Sequence, residues 1–449
     1  MSTDLRGTDR LRATRMSEDD ERTSGFSSGH APEPVDGALA DGSVAMSAAG
    51  VGRRSPRLSR PDLPVTGAWR PGDPAGDRQF VSTEPGRRFA LEGGGVLDEL
   101  TVAYETWGEL DAAASNAVLV CHALTGDSHA AGPAASGHVQ QGWWSDLIGP
   151  GRSLDTDRWF VVCANVLGGC QGTTGPASIA PGTGAPYGSA FPVVTIRDTV
   201  RTQALVADAL GIDQWMSVVG GSMGGMQALE WGVMYPARVR SVAALASTAA
   251  ASAQQIAWSN AGRNAIALDP RWRNGDYYDA EPGDGPAEGL ALARSIAQVH
   301  YRSELVFEQR FGRDEFDAIA QPVSIWDRFQ VESYLDYHGE KLALRFDANS
   351  YLVLNKMMDL HDIGRGRGGV AEALRRLGAP TMIGSVASDW LYPPYQQRAL
   401  ADLLDQCGNP CEWLEIDSPH GHDGFLLEFD QIGPALSQFL VEVEKSGAA

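Results

Sequence analysis

The sequence predicts a doubly wound α/β sheet, mostly parallel, with a helical insertion. Three observations carry this. Short continuous apolar runs alternate with helical patterns from residue 116 to 245. The alternation lapses over residues 248–370, which are rich in Ala, Arg, Asp and aromatic residues. It then resumes at residues 380–386 and 411–416. Strands alternating with helices build a parallel sheet with helices on both faces.

Each element has its own signal. Residues 1–60 hold one aromatic, Phe26, among Ser, Ala, Gly, Asp and Arg, so a disordered tail is expected there. Order is expected to begin near Phe80. Residues 89–91 and 97–106 flank Gly93-Gly94-Gly95 and read as a β-hairpin. Residues 116–121 (NAVLVC) and 159–163 are continuous apolar runs, as in strands buried on both faces. Thr195 and Asp198 form a capping signature, and Gly211 stands where that helix would stop. Residues 215–219 and 241–245 read as strands, with a helix between them over residues 223–234. A last amphipathic helix is expected over residues 425–443. The domain reading is a tail over 1–60, a core over 61–247, an insertion over 248–370 and the rest of the core over 371–449.

The 449-residue chain is 43% hydrophobic, enough for a large core, and carries a formal charge of -21. That balance argues against nucleic-acid binding, which needs a basic footprint. No apolar stretch reads as a membrane span or a secretory signal. Cys121, Cys163, Cys170, Cys407 and Cys411 are odd in number and include no CxxC, so neither a disulfide framework nor a metal site is expected. A cytoplasmic location follows as an expectation.

The strongest local signal is Gly220-Gly221-Ser222-Met223-Gly224, a G-x-S-x-G between a predicted strand and a predicted helix. The tight turn lifts the Ser222 hydroxyl into the open. The following Met223 N–H, at a helix N-terminus, points at a developing oxyanion. In the α/β-hydrolase fold the acid and then the base follow the serine. Asp389 lies just after one predicted strand, and His422 lies in a turn after the last one. His420 is the rival base. A second oxyanion donor is expected from residues 121–126, with the Leu124 N–H as candidate. His122 in that loop precedes Ser222, so a supporting role is expected of it.

Several motifs together resemble one family. They are residues 122–127 (HALTGD), 165–176 (NVLGGCQGTTGP), 220–227 (GGSMGGMQ), 262–266 (GRNAI), 301–303 (YRS), 331–335 (VESYL), 345–352 (RFDANSYL) and 421–423 (GHD). From about residue 80 to 445 the chain is similar to homoserine O-acetyltransferases. The resemblance implies an α/β-hydrolase fold with a helical lid, and Ser222, Asp389 and His422 as the triad. It implies that Arg294 pairs with the homoserine carboxylate, that Asp423 holds the amino group and that Tyr301 lines the site. It further implies L-homoserine and acetyl-CoA as substrates, no bound cofactor, and a homodimer formed through the lid. Succinyl-CoA as donor, L-serine as acceptor, and plain ester hydrolysis are the alternatives. A missing methylene discriminates by only about 1–3 kcal/mol.

Overall fold

The structure, a computed structural model, describes residues 63–84, 86–314 and 329–446. The expected disordered tail, residues 1–60, lies outside the described residues. Eight strands form one sheet: β1 (Gln79–Ser82), β2 (Thr101–Trp107), β3 (Ala117–Cys121), β4 (Phe160–Ala164), β5 (Ser217–Gly221), β6 (Val242–Leu245), β7 (Thr381–Val386) and β8 (Cys411–Ile416). Their order across the sheet is β1-β2-β4-β3-β5-β6-β7-β8. β2 runs antiparallel to both β1 and β4. All other neighbours are parallel.

Every residue of β3, β4, β5, β6 and β7 is buried. This is why those strands read as continuous apolar runs rather than alternating ones. The chain leaves β3 for β4 on one side and returns to β5 on the other. The strand order therefore reverses at β3, which opens a crevice at the carboxyl ends of the strands.

Local signals account for the helices. α1 (Ile196–Leu210) starts with a capping box between Thr195 and Asp198 and stops at Gly211, whose φ is 73°. α2 (Met223–Met234) follows Ser222 directly and packs on α1. Between β6 and β7 run α3 (Ala253–Ala267), α4 (Ala287–Tyr301), α5 (Glu304–Phe311), α6 (Gln330–Ala343), α7 (Ala348–Asp359) and α8 (Val370–Leu374). Within this insertion α4 packs against both α3 and α6. α9 (Pro394–Gln406) connects β7 to β8, and α10 (Phe429–Ser446) ends the described chain.

Three expectations need correction. Packing begins upstream of Phe80: Gly67 N–H donates to the Phe346 carbonyl at 3.1 Å, and Thr66 Oγ1 donates to Asp347 Oδ1 at 2.7 Å. That segment is held by polar contacts to a distant helix start, which an apolar pattern does not reveal. The hairpin is also shorter than expected. Phe89–Ala90 pairs with Val96–Leu97, whereas β2 pairs with β1 and β4. One alternating run thus serves two ladders. Finally, the last helix starts at Phe429, because Gly421–Leu426 winds a separate 3-10 turn. Among the described residues no helix is long and apolar enough to cross a membrane.

Candidate active site

Four strand ends meet at the crevice. β3 leads into the loop with His122 and Leu124, β5 into Ser222, β7 into Asp389 and β8 into His422. Ser222 has φ 56° and ψ -122°, a conformation that L side chains rarely adopt. Two glycines make the turn sterically possible. A Cβ on Gly224 would lie 2.0 Å from the Cys121 carbonyl oxygen, and one on Gly220 would lie 2.4 Å from the Gly224 backbone. The Ser222 N–H donates to the Leu245 carbonyl at 2.9 Å, which ties the strained residue to β6.

The three residues named from chain order form one hydrogen-bonded line. The Ser222 hydroxyl donates to His422 Nε2 at 2.8 Å, and His422 Nδ1–H donates to Asp389 Oδ2 at 2.7 Å. All three are buried. Asp389 Oδ1 accepts the N–H groups of Leu391 at 2.9 Å and Tyr392 at 2.8 Å. The carboxylate is thereby fixed with its second oxygen facing the imidazole. His422, and not His420, meets Ser222. His420 instead donates its backbone N–H to Ser418 Oγ at 3.1 Å.

Leu124 lines the cavity that opens on Ser222. Met223 is the first residue of α2, so its N–H has no carbonyl one turn earlier to satisfy it. His122 braces the Leu124 loop. Its Nδ1–H donates to the Ala123 carbonyl at 2.8 Å, and its Nε2 accepts the Val166 N–H at 3.0 Å. Burial holds this imidazole below its ordinary pKa, so it is neutral and structural.

Tyr301 lines the same cavity, its ring 5.7 Å from that of His422. Arg294 lies behind it, with its guanidinium 5.3 Å from the Tyr301 ring centre. In the orientation that satisfies its neighbours, the Gln298 amide oxygen accepts from Arg294 Nη2 at 2.8 Å and Nε at 3.1 Å. Asp423 is already paired, with its Oδ2 3.3 Å from Arg302 Nη2.

Residues 116–429 match the family model for the alpha/beta hydrolase fold. A homoserine O-acetyltransferase of Thermobifida fusca (strain YX) is 55% identical over 383 residues, covering 85% of this chain and 98% of that protein. The chain belongs to the homoserine O-acetyltransferase family. Among solved structures, the homoserine O-acetyltransferase from Bacillus anthracis superposes with a TM-score of 0.74 at 29% identity, over 81% of this chain and 97% of its own. Esterase E22 superposes with the same TM-score of 0.74 at 29% identity, over 81% of this chain and 100% of its own.

Around this homoserine O-acetyltransferase frame the structure adds residues that sequence reasoning missed. Tyr392 stacks its ring on His422 at 4.9 Å while its N–H holds Asp389. Arg302 meets Asp423, and its place in the YRS motif was the available signal. Gln227, in the GGSMGGMQ motif, donates to the His122 carbonyl. Away from the cavity, buried Glu105 accepts from Ser128 Oγ at 2.7 Å and His129 Nδ1 at 2.8 Å. With Asp77 and His138 it offers a set of metal-type ligand atoms within 4.8 Å of one another. However, His138 Nε2 already accepts the Asp77 N–H at 3.1 Å, and the two imidazoles stack at 3.8 Å. Stacked rings cannot aim both lone pairs at one ion, so the cluster reads as a hydrogen-bond network around Glu105.

Proposed function

We propose that the protein transfers an acetyl group from acetyl-CoA to the hydroxyl of L-homoserine through an acetyl-Ser222 intermediate, supplying O-acetyl-L-homoserine for methionine synthesis. The observation that carries the chemistry is the unbroken Ser222–His422–Asp389 line, with Ser222 lining a cavity. The family membership carries the substrate choice.

His422 Nε2 takes the Ser222 proton as Oγ attacks the thioester carbonyl. Asp389 fixes the tautomer and stabilises the imidazolium. The Leu124 and Met223 N–H groups stabilise the tetrahedral oxyanion; loss of one such donor typically costs about 100- to 1000-fold in rate. The CoA thiolate leaves and takes the proton from His422. Homoserine then enters, its carboxylate towards Arg294 and its ammonium towards Asp423, beside Tyr301. Its hydroxyl gives its proton to His422 and attacks the acetyl carbon, and Ser222 Oγ leaves with that proton. No bound cofactor takes part. Two half-reactions on one serine give ping-pong kinetics.

We further propose a cytoplasmic homodimer paired through the inserted helices. Leu292 on α4, Leu305 on α5, and Tyr337 and Leu344 on or beside α6 are exposed apolar side chains of that insertion. Apolar side chains of this size are the ones a subunit contact would cover. Light scattering behind size exclusion tests it, with a monomer as the refuting result.

Hydrolysis is the second reading, favoured by the match to esterase E22. CoA release from acetyl-CoA, with and without L-homoserine, decides between them. L-serine and succinyl-CoA serve as comparators. Strong homoserine-dependent release from acetyl-CoA supports transfer; release indifferent to any acceptor supports hydrolysis.

A further inference from the structure

His300 occupies the last turn of α4, next to Tyr301, and no step above uses it. It is 7% exposed and lines the cavity on Ser222. Its ring lies 5.0 Å from that of Trp258 and meets the ring of Tyr301 edge-on at 4.9 Å. Nδ1 is buried without a hydrogen-bond partner. Leaving a buried polar atom unpaired costs about 1–3 kcal/mol, and native structures rarely leave one without a reason. Burial above all, then the nearby His422 and Arg294, push the imidazole pKa down to about 3. The ring is therefore neutral at pH 7 and offers one N–H and one lone pair.

The surroundings indicate what would pair with it. Arg294 and His300 stand six residues apart on one helix and both pack on Tyr301, the guanidinium over its ring and the imidazole at its edge. Arg294 stands behind Tyr301 rather than in the cavity lining, so His300 is the neutral donor on the cavity side and Arg294 the cation beyond the ring, a pairing that suits an anionic oxygen pair. Trp258 and Tyr301 flank the His300 ring, and the same cavity is also lined by Gln255, Ser259, Asn355 and Asp359, the last paired with Arg263.

We propose that His300 is a specificity-determining residue of the acceptor subsite, where its imidazole N–H donates to the carboxylate of the acceptor amino acid beside Arg294. The inference rests on the transferase reading above. His300 sets which acceptor is chosen; the proton transfers at Ser222 belong to His422. A pocket built to hydrogen-bond a group rejects the analogue that lacks it, because its own polar atoms are then left unpaired.

The test compares L-homoserine with 3-amino-1-propanol, the same molecule without the carboxylate, as acceptors for the acetyl group. The wild type, His300→Leu and His300→Asn are assayed, the Asn amide replacing the Nδ1 donor. The 4-nitrophenol burst from 4-nitrophenyl acetate counts folded, acylatable sites in each variant. We expect the ratio of kcat/KM for homoserine to kcat/KM for the aminoalcohol to fall about tenfold in His300→Leu and to recover within about threefold in His300→Asn. A ratio unchanged in His300→Leu, or equal in Leu and Asn, overturns the role of His300 alone. No acceptor-dependent transfer in the wild type overturns the transferase reading and this inference together.

Discussion

The Gln227 side-chain amide donates to the backbone carbonyl of His122 at 3.1 Å, joining the helix that follows the nucleophile to the loop that carries Leu124. The same amide nitrogen also reaches the Met223 carbonyl at 3.1 Å. Its oxygen accepts from Gln203 Nε2 at 2.7 Å, and Gln203 Oε1 accepts from Trp231 Nε1 at 2.7 Å. This buried chain sets the spacing between the two N–H groups proposed to hold the oxyanion.

We therefore expect Gln227→Leu to lower kcat by about 10- to 100-fold, as small displacements of aligned groups do. The 4-nitrophenol burst should slow by a similar factor, because the same two donors serve both half-reactions. Stability should fall by about 1–3 kcal/mol, since Gln203 loses its acceptor. Full activity in a destabilised Gln227→Leu would detach this chain from the oxyanion site.

The Asp423–Arg302 pair gives the next expectation. If Asp423 holds the acceptor's ammonium, Asp423→Asn should raise KM for homoserine at least about tenfold and slow the burst far less, because the burst needs no acceptor. Arg302→Met frees the carboxylate and should leave homoserine binding stronger than in Asp423→Asn. Were the two variants to lose the same stability and keep the wild-type KM, the pair would be scaffold only.

What was legible in the sequence was local. Thr195, Asp198 and Gly211 bracket α1 within sixteen positions, and Ser222 carries its own turn and helix start. Asp389 and His422 were reachable because chain order and strand ends constrain them. The two ladders sharing residues 89–106 were not legible, since the partner of β2 lies upstream in residues 79–82. Nor were Tyr392, Gln227 and Arg302. Their partners His422, His122 and Asp423 stand 30, 105 and 121 positions away, and only the closed fold brings them together.

Ser222 stores strain at φ 56° and ψ -122°, which typically costs on the order of 1–3 kcal/mol. Removing the hydroxyl alone, in Ser222→Ala, keeps the Cβ and so keeps the strain. Ser222→Gly removes both. We expect both variants to be inactive, and the Gly variant to be the more stable by about 1 kcal/mol, after allowance for the extra entropy of glycine in the unfolded chain. Equal Tm values for the two would show that the turn is not strained.

Buried neutral histidines set the acid limit of the fold. His361 is 4% exposed, and its Nε2–H donates to the Thr248 carbonyl at 3.1 Å. Burial pushes its pKa down to about 4. The folded value lies below the unfolded one of about 6.5, so the unfolded chain takes up more protons as the pH falls. This stability is complete above about pH 6.5 and is lost progressively as the pH falls towards 4. One such group costs about 2 kcal/mol by pH 5. His300 and His338, both pushed to about 3 by burial, act in the same direction. Tm should therefore drop between pH 7 and 5. His361→Gln, whose amide can still donate to Thr248, should show a shallower drop over that interval. A parallel pH profile for His361→Gln and the wild type would mean that folding does not lower the His361 pKa.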